Sequence, residues 1–582
     1  MDYARPPQVV LGLDLGAVTT RASLFGLASG KYHLLGQAAA PTSLGTGRHL
    51  GEGVGDALLA LQESTGRKLL NEDGSLIQPF TTTGDGLDQI VLASDAGPRL
   101  RTVILGVSES GSLAAGRAWA ASLPLDLQGA YGVQDLARNP NLLDQLVTIR
   151  PELILITGGE DGGNGETGTA WIEMVRTLCL LLPQDIRPEV IFAGNPSLHE
   201  AVHRRLEPHT PVVIVPNLQP LAGTLDLAPA QAAADEIICR HWQESFAGWR
   251  DLMRIAGGQA STLALGLNRM LRFLSRTATP DQADRGVAAV DLGGGQTRLA
   301  LGWQGKALAL VDPARPQPFE GFDPQTYAEL HRWLADELDE DSARAYLWNR
   351  AAHPAVAPIT AEESAIEQAL GHLHLRQASR SLAVHYPQAP IDAEQGLTAH
   401  FEPVIASGET LTGAAYPGKT VLMLLDGLQP SGVTTLVLDR YQLLPLLGAA
   451  APSLPVLPVH LLETDAFQNL GTVIVPQSTA PAGELILTVE VQKEGGNSFE
   501  VEITQATLKR IVIQVDEPAV LVLKPARQTD VGFGGPGVGG RLRVTGGALG
   551  VVIDARGRPI SLPEDEEARI ALIQRWQWTL GG

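Results

Sequence analysis

The sequence predicts an α/β protein of two related lobes followed by a mainly β domain. Three observations carry that prediction. LDLGAVTTRASLFG, residues 13–26, returns as DLGGGQTRLALG from Asp291. Short apolar runs alternate with helical patterns as far as about Arg440. Beyond about Glu463 strand-like runs follow one another until a last helical stretch, EDEEARIALIQRWQW.

The two copies match at Asp14/Asp291, Leu15/Leu292, Gly16/Gly293, Thr20/Thr297 and Arg21/Arg298, and each follows a β-rich run, VVLGL or VAAV. A repeat at so long a period implies paired lobes rather than a solenoid. RTVILGV, ELILITGG, EVIFAGN and PVVIVPN read as strands between helices such as APAQAAADEIICRHWQESFAGW, the signature of layers around a largely parallel sheet. The second half repeats this with TRLALGW, KALALVD, PVIASGE and TTLVLDR. The expected organisation is a first lobe over 1–285, a second over 286–440, an apolar Pro-rich connector over 441–462, and a β-rich domain ending in a helix over 463–582.

Composition narrows the function classes. The chain has 582 residues, 44% of them hydrophobic, which suits several buried cores. Lys and Arg total 43 against 64 Asp and Glu, a net charge of −21, which argues against bulk attraction to nucleic acid or anionic lipid. Two cysteines, Cys179 and Cys239, exclude a disulfide framework and suit a reducing cytosol. MDYARPPQVV lacks an apolar signal core, so a cytoplasmic protein is expected. The uncharged stretch 441–462 is long enough for a bilayer. Its four prolines would leave carbonyls unpaired in lipid, so a buried or partner-covered connector is expected.

The doublet carries the chemistry. A strand ending in Asp and a tight Gly turn places a carboxylate at a sheet's end. Gly16, Gly293, Gly294 and Gly295 remove Cβ atoms, so backbone N–H groups can approach phosphate oxygens, and Thr20 and Thr297 offer hydroxyls. Two such hairpins face to face would grip a polyphosphate, with Asp14 and Asp291 holding Mg²⁺ through its waters.

This pattern resembles the two phosphate loops of the actin, Hsp70 and sugar-kinase ATPase superfamily. The fold it implies is two actin-like (RNase H-like) lobes around a nucleotide cleft. PVIASGETLTGAA, with Ser407 and Gly408, would serve as the adenine-side turn. Within the superfamily, ILITGGEDGGNGET, residues 154–167, resembles the G-G-x-D-G-G-N signature of the MutL-type accessory ATPases of glutamate mutase, unrelated to the mismatch-repair protein of similar name. IFAGNPSLHEAV and VPNLQPLAGTLDLAPAQAAADEI resemble further segments of that family. The resemblance runs from about Val9 to Arg440.

It implies an ATP-dependent, chaperone-like factor that acts on a cobalamin-dependent mutase. By position it matches Asp14, Gly16 and Thr20 to the first phosphate loop, Asp291, Gly293, Gly294 and Thr297 to the second, and Gly158, Gly159, Asp161, Gly162, Gly163 and Asn164 to the signature. It makes Glu160 and Asp161 candidates for orienting the attacking water. A polar Gly-rich turn is the alternative there.

The chain also departs from the family. Ala17 and Val18 stand where Ser and Thr are usual, and Arg298 where Asp is common, so binding is expected to outlast brisk hydrolysis. Two other functions stay open: a nucleotide-binding scaffold or filament subunit with little hydrolysis, and a small-molecule kinase on the same fold.

Three further motifs are read structurally. GAAYPGKT, residues 413–420, matches the P-loop expression, but TVLMLLDG after it reads as a strand, where a phosphate-binding P-loop needs a helix. HEAVH, residues 199–203, matches the zincin expression without a third ligand at a useful spacing. GFGGPGVGGRLRVTGG, residues 532–547, lacks a following helix and reads as turn chemistry.

Overall fold

The structure is a computed structural model that describes residues 6–43, 49–163, 165–221, 223–276, 285–312, 324–335, 338–398, 401–493, 496 and 498–581. One sheet plan occurs twice. In the first lobe, Val9–Leu15, Thr19–Ala28 and Lys31–Pro41 form an antiparallel meander. Gln89–Ser94 lies parallel to Val9–Leu15, and Ser261–Thr262 lies parallel to Gln89–Ser94. In the second lobe, Gly286–Leu292, Thr297–Trp303, Lys306–Asp312, Phe401–Ser407 and Gly432–Asp439 repeat the same order and directions. This is the actin-like, RNase H-like arrangement that the doublet predicts. All of Val9–Leu15 and Gly286–Leu292 is buried, which is why both read as near-continuous apolar runs rather than alternating ones.

Each lobe's last parallel strand leads into a helix, Leu263–Arg276 in the first and Leu444–Ala450 in the second. The two helices cross in contact. A Cβ on Gly448 would lie 1.9 Å from the Gly266 carbonyl oxygen, and one on Gly266 would lie 2.1 Å from that of Pro445. The connector 441–462 therefore contains two short helices: Leu444–Ala450 is buried between the lobes, and Val456–Leu462 buries Leu457, Pro458 and Leu461 while exposing Val456 and Val459. Pro445 sits in the first turn, where its missing N–H has no intrahelical partner to lose. Among the described residues no helix is long and apolar enough to cross a membrane.

Three features correct the expected organisation. First, the span 1–285 holds two sheets. Leu100–Gly106, Leu125–Gly132, Leu153–Gly158, Glu189–Gly194 and Val212–Ile214 form an all-parallel sheet of their own, in the spatial order second, first, third, fourth, fifth. It has a separate core around Trp171, Phe192 and Leu146. This unit is inserted between two strands of the first lobe, and its regular strand–helix alternation hid it within the lobe's own pattern.

Second, the β-rich tail is not independent of the second lobe. Leu485–Lys493, Phe499–Thr504, Pro518–Pro525 and Gly540–Thr545 do form their own antiparallel sheet. Phe467–Val475, Leu508–Ile511 and Val551–Asp554, however, extend the second-lobe sheet beyond Gly432–Asp439. Arg556 fastens the join: it donates to Asp554 and pairs with Asp426 of the second lobe, both at 2.8 Å, and lies 4.4 Å from the Trp576 ring of the last helix, Glu566–Thr579. Trp576 is buried and Trp578 exposed.

Third, TVLMLLDG belongs to a helix, Pro417–Leu428. Every residue from Thr420 to Leu428 is buried, so the helix is enclosed all round and its sequence lacks the polar stripe that separates helix from strand. The segment is still not a P-loop. A short helix, Glu409–Thr412, precedes it instead of a strand; the Thr420 hydroxyl donates to Leu411 O, and Lys419 donates to Ser364.

Candidate functional site

The two hairpin turns meet between the lobes. They are built alike: Gly16 N–H donates to Thr19 O at 3.0 Å, and Gly293 N–H donates to Gln296 O at 3.0 Å. A Cβ on Gly295 would lie 3.0 Å from Ala17 Cβ, and one on Gly294 would lie 3.1 Å from Val18. The departure at Ala17 and Val18 thus has a counterpart in the opposite turn. Two apolar side chains pack where Gly294 and Gly295 leave room, and the turns touch.

Behind the turns lies a buried charge cluster. Cross-strand register sets Arg21 opposite Asp14 and Arg298 opposite Asp291. Arg21 lies 3.9 Å from Asp14 and donates to Glu409 at 2.7 Å. Arg298 bonds Asp291, and its Nε donates to Asp95 at 2.9 Å. Asp14, Asp95, Asp291 and both arginines are buried. Burial pushes Asp14 up to about 7, against the pull of Arg21 and Arg298 and with further elevation from Asp291 and Asp95. Its Oδ1 has no hydrogen-bond partner among the described residues. Burial opposes the charged form of Arg298, yet Asp95 and Asp291 overcome it and hold the guanidinium protonated.

The other predicted contacts divide into three groups. Thr20 and Thr297 are buried, and Thr20 shares a 2.9 Å hydrogen bond with Thr42, so neither hydroxyl faces open space. Ser407 donates to Asp439 at 3.1 Å, a structural bond. Gly408, at φ +92°, is required by packing, since a Cβ there would lie 2.4 Å from the Leu292 backbone. It seats the second hairpin turn on the strand end rather than offering a side chain.

Gly158, Gly159, Glu160, Asp161, Gly162 and Gly163 are not brought to the hairpins; Asn164 lies outside the described residues. They form the carboxyl edge of the inserted parallel sheet. There Asn195 donates to Gly163 O at 2.9 Å, and Asn217 donates to Gly159 O at 2.7 Å and to Asp161 at 2.9 Å. The three segments that resemble the family signature therefore fold together at one edge. The opposite edge adjoins the cluster, because Arg99, just before Leu100, feels Asp95 and Arg298. Strand Leu100–Gly106 spans ~20 Å between the edges at about 3.3 Å per residue. A water-orienting role for Glu160 and Asp161 in this conformation is thus a misplacement: the sequence showed an acid at a strand end, but not to which sheet the strand belonged.

Sequence reasoning missed Asp95 and Glu409. The signal was present, since QIVLASD and PVIASGE extend the duplication to the fourth strand of each lobe, and each acid follows within two residues of the strand's end.

The family described as MutL protein matches residues 10–308, a span that contains both hairpins and the signature segments. The chain belongs to that family. No curated protein matches this MutL-family chain. Among solved structures it is similar to a nucleotide-free acetone carboxylase, at 14% identity over 85% of this chain and 81% of that one, with a TM-score of 0.31. It is also similar to xylulose kinase from Bifidobacterium adolescentis, at 11% identity over 79% and 95%, TM-score 0.27. A nucleotide-free diol dehydratase-reactivating factor gives 11% identity over 78% and 100%, TM-score 0.27. These superpositions are too loose to transfer any residue's role to the MutL-family protein.

HEAVH lies on the helix His199–Arg205. His203 bonds Glu207, and His199 packs edge-on against Phe192 at 5.8 Å.

Proposed function

We propose that this MutL-family protein is an ATP-binding, slowly hydrolysing accessory factor that acts on a protein partner, with a cobalamin-dependent mutase as the partner class. The observation that supports this reading is the meeting of two duplicated strand–turn–strand units, one per lobe, with Asp14 and Asp291 buried at their bases. A ligand with several phosphates is the chemistry that such paired turns suit, because each can present backbone N–H groups from an opposite wall. A ligand held by both lobes biases their relative position, which is how nucleotide state would reach a partner.

Mg²⁺ fits one half of this arrangement better than the other. The orphaned Oδ1 of Asp14 is a hard oxygen ready to accept from a metal-bound water. Asp291 would share its carboxylate between such a water and Arg298, which bonds its Oδ2. When bound, the ion would neutralise charge on the β- and γ-phosphates. The chain's own residues would do the rest: the turns position the phosphates, and Arg21 and Arg298 supply counter-charge.

A scaffold that binds nucleotide with little hydrolysis is the second reading, favoured by the apolar contact of Ala17 and Val18 with the opposite turn. One experiment separates the two. An inactivated cobalamin-dependent mutase is incubated with this protein and ATP, and recovered mutase activity is followed beside phosphate release. Recovery that needs ATP supports the accessory reading. ATP binding without recovery or phosphate release, together with ATP-dependent pelleting, supports the scaffold.

A further inference from the structure

The two arginines of the doublet cross between the lobes in a reciprocal manner. Arg21 belongs to the first lobe and bonds Glu409 of the second at 2.7 Å. Arg298 belongs to the second lobe and contacts Asp95 of the first at 2.8 and 2.9 Å. The four positions are related by the duplication. Ala93 stands beside Asp14 in the parallel register as Ser407 stands beside Asp291, so Asp95 and Glu409, each two residues on, are equivalents. Each lobe therefore offers one arginine and one acid, and each arginine takes the other lobe's acid.

We propose that Arg21 and Arg298 are phosphate ligands of the nucleotide site, and that Glu409 and Asp95 are built-in competitors that hold those ligands while the hairpins touch. Carboxylate and phosphate are alternative partners for a guanidinium, since both accept paired N–H donors. The exchange happens at the turns themselves: a Cβ on Gly294 would lie 3.0 Å from Glu409 Oε2, so this carboxylate sits over the second phosphate loop, where a phosphate would approach. A polyphosphate entering between the turns draws both guanidiniums to itself. Glu409 and Asp95, left without counter-ions and beside phosphate, are repelled, and the lobes shift about the crossing of Gly266 and Gly448. Because the pairs are reciprocal, breaking one leaves the other in place, so a ligand that reaches one lobe only does not release the latch.

The inference rests on reading the hairpins as a nucleotide site, and the test separates the two. ATP binding to the full chain is measured by calorimetry, with and without Mg²⁺, for wild type, Glu409→Gln and Asp95→Asn/Glu409→Gln. The radius of gyration of each protein without nucleotide is measured by small-angle scattering. Removing the competitors is expected to tighten ATP binding about tenfold and to enlarge the nucleotide-free double variant toward the ATP-bound wild-type value. Glu409→Gln alone changes a partly exposed side chain and keeps the test valid if the double variant folds poorly; about threefold tightening is expected for it. Wild type that binds ATP while Glu409→Gln binds it equally or more weakly overturns the latch and leaves the nucleotide site standing. Absence of ATP binding by every protein overturns both.

Discussion

Gly448 and Gly266 let one helix from each lobe cross with no side chain between their backbones: a Cβ on Gly448 would lie 1.9 Å from the Gly266 carbonyl oxygen. The helices that carry them follow equivalent strands of the duplicated sheets. Neither glycine can accept a methyl group without moving a backbone. Gly448→Ala is expected to destabilise the protein by about 1–3 kcal/mol, the usual cost of overpacking, with the shift read from denaturant unfolding.

The buried cation of the cluster should dominate its stability. Arg298 faces Asp291 and Asp95, and removing it would leave two buried carboxylates without a counter-ion. Arg298→Met is expected to cost about 3–5 kcal/mol in the same measurement. A change below about 1 kcal/mol would mean that water reaches the cluster.

Asp439 gives the pH dependence a definite sign. Burial raises its carboxyl to about 6, although it accepts from Leu443 N, Leu444 N and the Ser407 hydroxyl. The folded state therefore holds this proton more tightly than the unfolded chain. Its contribution to stability is fully present below about pH 4 and is lost as pH rises to about 6. Asp439→Asn should remove that slope, so the difference between variant and wild-type unfolding free energies should change by about 2–3 kcal/mol across the window. A difference that stays flat from pH 4 to pH 7 would contradict the assignment.

The signature loop should prove separable from the buried charge cluster. Asn217→Ala deletes bonds to Gly159 O and Asp161 and is expected to cost about 1–3 kcal/mol. ATP affinity of the folded variant should match wild type, since the loop lies one strand length from the hairpins. A large loss of affinity with unchanged stability would place the loop in the nucleotide site after all.

These outcomes mark what the sequence could and could not convey. The duplicated lobes were legible because the hairpin writes Asp, Leu, Gly, Thr and Arg twice at the same offsets. Two runs that look alike on paper went different ways. ELILITGG and VVLGLDLG both end buried parallel strands, yet they belong to different sheets, because which strand pairs with which depends on contacts far apart in the chain. TVLMLLDG was misread for a related reason: complete burial erased its helical stripe. Asp95 and Glu409 stand at matching places after QIVLAS and PVIASG, but that faint echo acquires meaning only from the arginine that reaches each from the other lobe.

The tail shows the same limit. Its strands are evident, but nothing in Phe467–Val475 says that it will join the sheet of the second lobe. A chain ending at residue 463 should therefore lack a sheet edge partner and fail to give a cooperative thermal transition. A stable, folded product would restore the tail as a separable domain.

Hydrogen exchange with and without ATP addresses the central claim most directly. If one triphosphate is held between the duplicated turns, peptides covering 14–21 and 291–298 should gain protection together at the same ATP concentration, while those covering 158–163 remain unchanged. Protection confined to one hairpin, or appearing at 158–163 with neither hairpin affected, would contradict it.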